Sequence, residues 1–164
     1  MNVWSEQNKV VNVIIPVADA FAANVTSDIV NMENYNKCTF IIATGATSND
    51  LGVVTVNAGT TTPATAIVFK YRTQIAQADC TTAGGDVPSA LTDATISGFA
   101  MSAAKVGGLY IIEVDAAVVA AAGTDYKRVS LTVTENGSAG VTACVLAILS
   151  EPRYPQAILA TAID

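Results

Sequence analysis

The alternation of apolar and polar residues after Asp125 is the feature that most constrains the fold of this chain. Val129, Leu131 and Val133 alternate with polar residues, and a period of two is typical of a strand with one buried face. The run Val141–Leu149 is apolar on both faces, as expected of a strand that is covered on both sides. The segment between them contains Asn and Gly, which tolerate positive φ. We therefore predict a β-hairpin whose second strand is the central buried strand of an all-β core.

Other runs rich in β-branched and aromatic residues are also predicted to be strands. They are Val10–Ile15, which we expect to stop at Pro16, and then Val25–Met32, Lys37–Thr44, Val53–Ala58, Ala66–Thr73, Thr95–Met101 and Leu109–Val114. Helix propensity is concentrated in the alanine-rich residues 116–122, where Asp115 is a candidate N-cap. We expect this short helical segment to lie across one end of the strands.

These elements predict an all-β fold, a single-domain antiparallel β-sandwich of Greek-key or jelly-roll type. It would contain about eight or nine strands and one short helical segment near 116–122. A chain of 164 residues is long enough to bury a sizeable core in one domain. We expect residues 1–164 to form that domain, with an N-terminal arm over residues 1–9 and an extended C-terminal tail over residues 151–164.

The chain is poor in charge, and this narrows the classes of partner. Charged residues make up 13% of the sequence, against roughly 25% in typical soluble domains. Either the protein hides surface against copies of itself or another protein, or Thr, Ser and Asn coat its surface instead. The net charge of −6 argues against binding of duplex nucleic acid, which depends on Lys and Arg. Apolar runs are shorter than the ~18 residues of a transmembrane helix, and no secretory signal is visible, so we expect no membrane partner.

Catalytic and metal-binding residue types are scarce. The chain has no histidine, which excludes Ser-His-Asp and Cys-His arrangements and most zinc sites. Glu113 and Asp115 form the nearest carboxylate pair, but two acids on one strand face are also common without catalysis. Calcium could bind loops near Asn49-Asp50 or around Asp79 and Asp86, but turn geometry explains these residues better. We predict no cofactor and no enzymatic activity.

Cysteines and aromatic residues give weaker indications. Cys38, Cys80 and Cys144 are too few for a disulfide scaffold, and we expect all three to be reduced.

Phe69 and Tyr71 share a strand face that could form a sugar-binding platform, but that face is better explained as core. A carbohydrate- or receptor-binding β-sandwich, such as a fibre or adhesion module of a virion, therefore remains the alternative function.

Both ends of the chain carry apolar or aromatic residues that need a surface to cover them. Trp4 lies in a polar N-terminal arm, where an exposed indole is unusual unless it docks on something. At the other end Pro152 and Pro155 bracket Arg153 and Tyr154, so we expect the last strand to stop and the chain to leave in extended form. The candidate interface residues are Trp4, Glu151, Pro152, Arg153, Tyr154 and Pro155.

The sequence resembles small structural proteins of tailed bacteriophages, of the head decoration or cement type. An apolar N-terminal strand ending in proline, an N-Y segment, an F-x-Y-R strand and a closing E-P-R-Y-P carry this resemblance. The matched residues are Val25–Asp28, Val30–Met32, Asn34-Tyr35, Thr65–Ile67, Phe69, Tyr71-Arg72 and Glu151–Pro155.

The resemblance implies a non-enzymatic virion protein that is assembled in the host cytoplasm. Such a protein binds the major capsid protein on the outer surface of an assembled shell and stabilises it. It also implies a homo-oligomer, with a trimer favoured. Low charge is compatible with this role, because broad contacts repeated over a shell sum through multivalency.

Overall fold

Two antiparallel β-sheets account for most of the structure, a computed structural model that describes residues 3–47, 52–74, 86–101, 107–135, 140–154, 159 and 161–163. The helices are α1 (Trp4–Gln7) and α2 (Ala116–Ala122). The strands are β1 (Lys9–Val17), β2 (Asn24–Thr26), β3 (Val30–Asn31), β4 (Tyr35–Thr47), β5 (Val53–Gly59), β6 (Thr65–Ile67), β7 (Phe69–Gln74), β8 (Thr92–Ala94), β9 (Phe99–Ala100), β10 (Leu109–Asp115), β11 (Arg128–Thr134) and β12 (Val141–Pro152). The prediction of an all-β chain is confirmed.

The twelve strands are divided equally, six in each sheet. The first sheet is one continuous series with the order β1-β12-β4-β10-β7-β8, and we call it the six-stranded sheet. The second sheet has the order β2-β11-β5-β6, and β3 and β9 pair with β11 and β5 respectively. The described residues contain twelve strands, where the sequence predicted about eight or nine, because single apolar runs are split between strands. The run Ala66–Thr73 contributes β6 to one sheet and β7 to the other, and the break falls at the half-exposed Val68.

The predicted hairpin after Asp125 is wrong. β11 pairs with β5, β2 and β3 in the second sheet, whereas β12 pairs with β4 and β1 in the six-stranded sheet. The chain therefore passes from one sheet to the other between these strands, and residues 136–139 of the connection lie outside the described residues. Periodicity identified the buried face of β11 correctly, because Val129, Leu131 and Val133 are fully buried. It carries no information on which strand is the hydrogen-bonded neighbour.

β12 is an interior strand of its sheet, as predicted, but only one of its two faces is fully covered. Its buried face runs from Val141 to Leu149 at alternate positions, each at most 3% exposed. The opposite face, which includes Cys144, Leu146 and Ile148, is half-buried. At the sheet edge, β1 continues through Pro16 to Val17 and does not stop at the proline. A proline is tolerated there because an edge strand has one unpaired side.

Aromatic contacts join the two sheets in one core. Phe99 of β9 stacks on Tyr71 of β7 with ring centroids 4.0 Å apart and an angle of 4° between the ring planes. Phe69 meets the Phe99 ring edge-on, with ring centroids 6.1 Å apart, and the ring of Tyr110 on β10 lies 5.8 Å from that of Phe99. Since β9 belongs to the second sheet and the other three residues to the six-stranded sheet, this cluster connects the buried faces.

Helix α2 confirms the predicted helical segment at 116–122. The Asp115 carboxylate accepts a hydrogen bond from the Ala117 backbone N–H at 2.7 Å, which is the expected N-cap interaction. Ala116 and Val119 are buried, and the helix contacts β4 and β10 of one sheet and β5 and β6 of the other. It therefore covers the end of the core between the sheets.

The turn between β8 and β9 requires glycine at position 98. Gly98 has φ of 73°, and a Cβ there would overlap the Val54 carbonyl oxygen. We expect Gly98→Ala to lower the free energy of unfolding by about 2 kcal/mol or more, because backbone strain adds to the overlap.

Gly140→Ala is the matched control, since the nearest atom to its Cβ would be 3.6 Å away, and we expect a change within about 0.5 kcal/mol. Urea unfolding followed by far-UV circular dichroism measures both variants. Equal stability of the two would show that the turn does not depend on Gly98.

Candidate functional site

Trp4 lies on helix α1, a short element that the sequence did not predict. The Trp4 carbonyl accepts hydrogen bonds from the Asn8 backbone N–H at 3.0 Å and the Asn8 side chain at 2.9 Å. Trp4 is 57% exposed, so it does not dock into the core. Lys9 pairs with Leu149, which places α1 at the end of the six-stranded sheet where β12 ends.

The Glu-Pro-Arg-Tyr motif is bound to the start of β4. β12 extends to Pro152, whereas the predicted strand ended at Leu149, and Pro152 pairs with Tyr35. Glu151 has φ of 54° and its carboxylate lies 2.8 Å from the Lys37 ammonium. This hydrogen-bonded ion pair raises the pKa of Lys37 above its ordinary value.

The remainder of the candidate interface is divided between bound and exposed residues. Arg153 donates its backbone N–H to the Asn34 carbonyl at 2.9 Å and its Nε–H to the Asn36 side chain at 3.2 Å. Tyr154, by contrast, is 65% exposed, and Pro155 lies outside the described residues. Of the motif, Tyr154 is therefore the described side chain best placed to contact a partner.

The described part of the C-terminal segment packs against this chain itself. Ala162 is 1% exposed, and its carbonyl accepts the Asn31 N–H at 2.8 Å. Ile163 forms an isolated bridge with Val30 of β3, and Leu159 packs on the core. The apolar tail is thus covered by its own domain at these positions.

The outward face of the second sheet is polar and uncharged over its centre. Thr26 and Thr132 share a hydrogen bond between hydroxyls at 3.0 Å, and the Asn57 amide donates to Thr132 at 3.2 Å. Thr55 and Thr134 occupy the same face, which is the one opposite the buried valines. This face fits the hypothesis that Thr and Asn coat the surface in place of charges.

The outward face of the six-stranded sheet is different, because its central part on β12, β4 and β10 is apolar and half-buried. Three rows cross neighbouring strands: Cys144 faces Ala43 and then Leu109, Leu146 faces Ile41 and then Ile111, and Ile148 faces Val10. We call these eight side chains the apolar face. Apart from Val10, which is 44% exposed, they are intermediate in exposure. The sequence contained a signal for this surface, because β12 is apolar on both faces. We predicted, however, that the second face would be covered by the protein itself.

A cavity of about 610 Å³ lies at the end of this sheet where β4 and β7 begin and β10 ends. Residues from these strands, from β8 and the turn after it, and from α2 line it. Its lining includes Glu113 and Asp115, the carboxylate pair considered for hydrolysis. Both side chains are exposed, and Asp115 is occupied in capping α2, so they do not form the buried acid pair that this hypothesis required.

The predicted sugar-binding platform and calcium loops can be compared with the described residues. Phe69 is 5% exposed and Tyr71 stacks on Phe99, so these rings belong to the core and form no sugar-binding platform. Asp86 is exposed, while Asn49-Asp50 and Asp79 lie outside the described residues. Within the described ranges no cluster of three or more Cys, Asp or Glu side chains is arranged to hold a metal ion.

Among the described residues no helix has the length and apolarity to cross a membrane.

The comparisons with known proteins add no relative. No protein-family model, no curated protein and no solved structure matches the chain.

The two described cysteines differ in environment, which predicts different reactivity. Both are free thiols. Burial raises the pKa of Cys38, which is 0% exposed on the inner face of β4, whereas Cys144 lies on the apolar face. With Cys80 replaced by Ser, we expect a maleimide to label Cys144 in the folded protein and Cys38 after unfolding, because the thiolate is the reactive form.

Mass spectrometry of the labelled protein, with and without denaturant, measures both rates. The double variant Cys80→Ser, Cys144→Ser is the control and should resist labelling until it unfolds. Labelling of Cys38 as fast as Cys144 would contradict the burial of β4.

Proposed function

We propose that this chain is a non-enzymatic structural protein of a phage virion, a decoration or cement protein that binds the outer surface of an assembled capsid. In this proposal the two sheets form a β-sandwich of Greek-key or jelly-roll type. The apolar face of the six-stranded sheet is the surface that contacts the major capsid protein or a neighbouring copy of this chain. The protein acts as a homo-oligomer, with a trimer favoured.

The observation that carries the proposal is the difference between the two outward faces. The second sheet presents Thr and Asn side chains bonded to one another, a surface that water solvates without charges. The six-stranded sheet presents Leu146, Ile41 and Ile111 in one row across three strands. A contiguous apolar patch at a protein surface is the usual mark of an interface.

The edges of the six-stranded sheet support binding through its face. β1 contains Pro16 and has register irregularities on both sides of Ile14, and both features hinder addition of another strand. β8, at the other edge, has three residues. Since neither edge is a long regular template, the face is the larger surface available to a partner.

The resemblance to head decoration proteins supplies the kind of partner. A shell offers the same surface many times, so contacts of modest strength at each copy are sufficient for stable attachment. The exposed Trp4 and Tyr154 lie at the end of the sheet where β1 begins and β12 ends. There they can contact a neighbouring subunit beyond the face itself.

Charge substitutions on the apolar face test this proposal. We expect Leu146→Lys or Ile111→Lys to weaken binding to preassembled shells of the same phage by about tenfold or more, because a lysine would be desolvated at the interface. Both positions are half-buried on the outward face and lie outside the shared core, so the free protein should still fold. Co-sedimentation with shells at several protein concentrations gives the affinity.

Thr134→Lys is the matched control, because Thr134 is exposed on β11 of the second sheet, and it should bind as the unaltered protein does. Sedimentation velocity of the free protein measures the oligomer. A protein that stays monomeric and never co-sediments with shells would overturn the proposal, and equal loss in all three variants would refute the assignment of the face.

A further inference from the structure

The cavity next to α2 has the size and the walls of a binding site. Its volume of about 610 Å³ falls within the roughly 300–1,000 Å³ of most ligand sites. Val68 and Ile96 line it and are 50% and 59% exposed, and the half-buried Val118 of α2 lines it as well. Branched aliphatic side chains left this exposed around a concavity favour an apolar occupant.

The charged groups at the cavity are unbalanced. Lys37 pairs with Glu151 and Lys70 pairs with Asp93, each at 2.8 Å, so each lysine already has a carboxylate partner. Glu113 and Asp115 also line the cavity, and they lie opposite Lys70 and Lys37 in the strand register. Within the described residues neither forms a salt bridge of its own, so two ammonium groups stand beside four carboxylates. This excess of negative charge beside apolar walls complements an apolar group that carries positive charge nearby.

The position of the cavity indicates a protein segment as the occupant. Thr39 and Glu113 are both cavity residues, and they form the cross-strand pair next to Ile41 and Ile111 on the same outward face. A chain lying on the apolar face along β4 and β10 would therefore reach the cavity without a turn. The choice of a protein as occupant rests on the proposed docking function of that face.

We propose that this cavity is an anchor site for an apolar side chain of a partner protein that has Lys or Arg next to it in sequence. The apolar side chain contacts Val68, Ile96 and Val118. The adjacent basic residue lies against Glu113 and Asp115. The site thus adds chemical selectivity to the flat apolar face, because a partner segment with acidic neighbours would be repelled.

A titration of the isolated protein with four synthetic pentapeptides tests the chemistry. The peptides are capped at both ends and contain Lys-Leu-Lys, Glu-Leu-Glu, Lys-Gly-Lys or Glu-Gly-Glu between glycines. We expect amide chemical shifts of Val68, Ile96 and Val118 to saturate with the Lys-Leu-Lys peptide. Its dissociation constant should be at least about fivefold lower than those of the other three, because it alone satisfies both the apolar and the charge requirement.

Two substitutions at exposed positions assign the effect to the cavity. Ile96→Ser should weaken Lys-Leu-Lys binding by about fivefold, and Glu113→Gln by about threefold, as expected for loss of apolar contact and of one exposed charge contact. The matched controls are Ile15→Ser, 68% exposed on edge strand β1, and Glu6→Gln on α1, and both should bind as the unaltered protein does. Melting temperatures of all four variants establish that each one folds.

The outcomes separate this inference from the proposed function. Absence of saturable shifts at the cavity, equal affinity for all four peptides, or unchanged binding by Ile96→Ser would overturn the anchor site. If shells still bind in that case, the docking face stands without the anchor. Selective peptide binding by a protein that never binds shells would support the anchor site and refute the capsid function.

Discussion

The contact of Phe99 with Tyr71 is the interaction on which the relation between the two sheets depends. Phe99 comes from β9, a strand of two residues, yet it meets aromatic rings from both β7 and β10. Aromatic rings bury much apolar area for each residue, so a strand of two residues can pack the second sheet against two strands of the other sheet. Because one face of each sheet is turned toward this shared core, the opposite faces become the two principal surfaces of the molecule.

The centres of the two surfaces, both poor in charged side chains, differ in composition. On the second sheet, hydroxyl and amide groups such as Thr132 and Asn57 satisfy one another while remaining accessible to water. On the six-stranded sheet, Leu146, Ile41 and Ile111 are half-buried, and their remaining exposure is costly in water unless something covers them. The coat of Thr and Asn therefore accounts for the low charge of one face, and the apolar character of the other supports the proposed docking role.

The charged end of the six-stranded sheet shows how a surface position takes its role from neighbours distant in sequence. Glu151 was expected to lead the chain away from the core, but Lys37 holds it at the start of β4. The pairing of β12 with β4 brings Glu151 to Lys37 over a long separation in sequence. The N-cap contact of Asp115 with Ala117 is local by contrast, which is why the sequence alone could predict it.

The sequence by itself determined which residues face inward, where α2 begins, and that the chain is built from strands, because side-chain periodicity and capping are local properties. Val129, Leu131 and Phe69 are buried as their alternation indicated. Only the tertiary structure decided that β11 and β12 belong to different sheets and that the second apolar face of β12 is half-exposed. Pairing and coverage depend on contacts between distant segments, and a period of two is the same whichever strand is the neighbour.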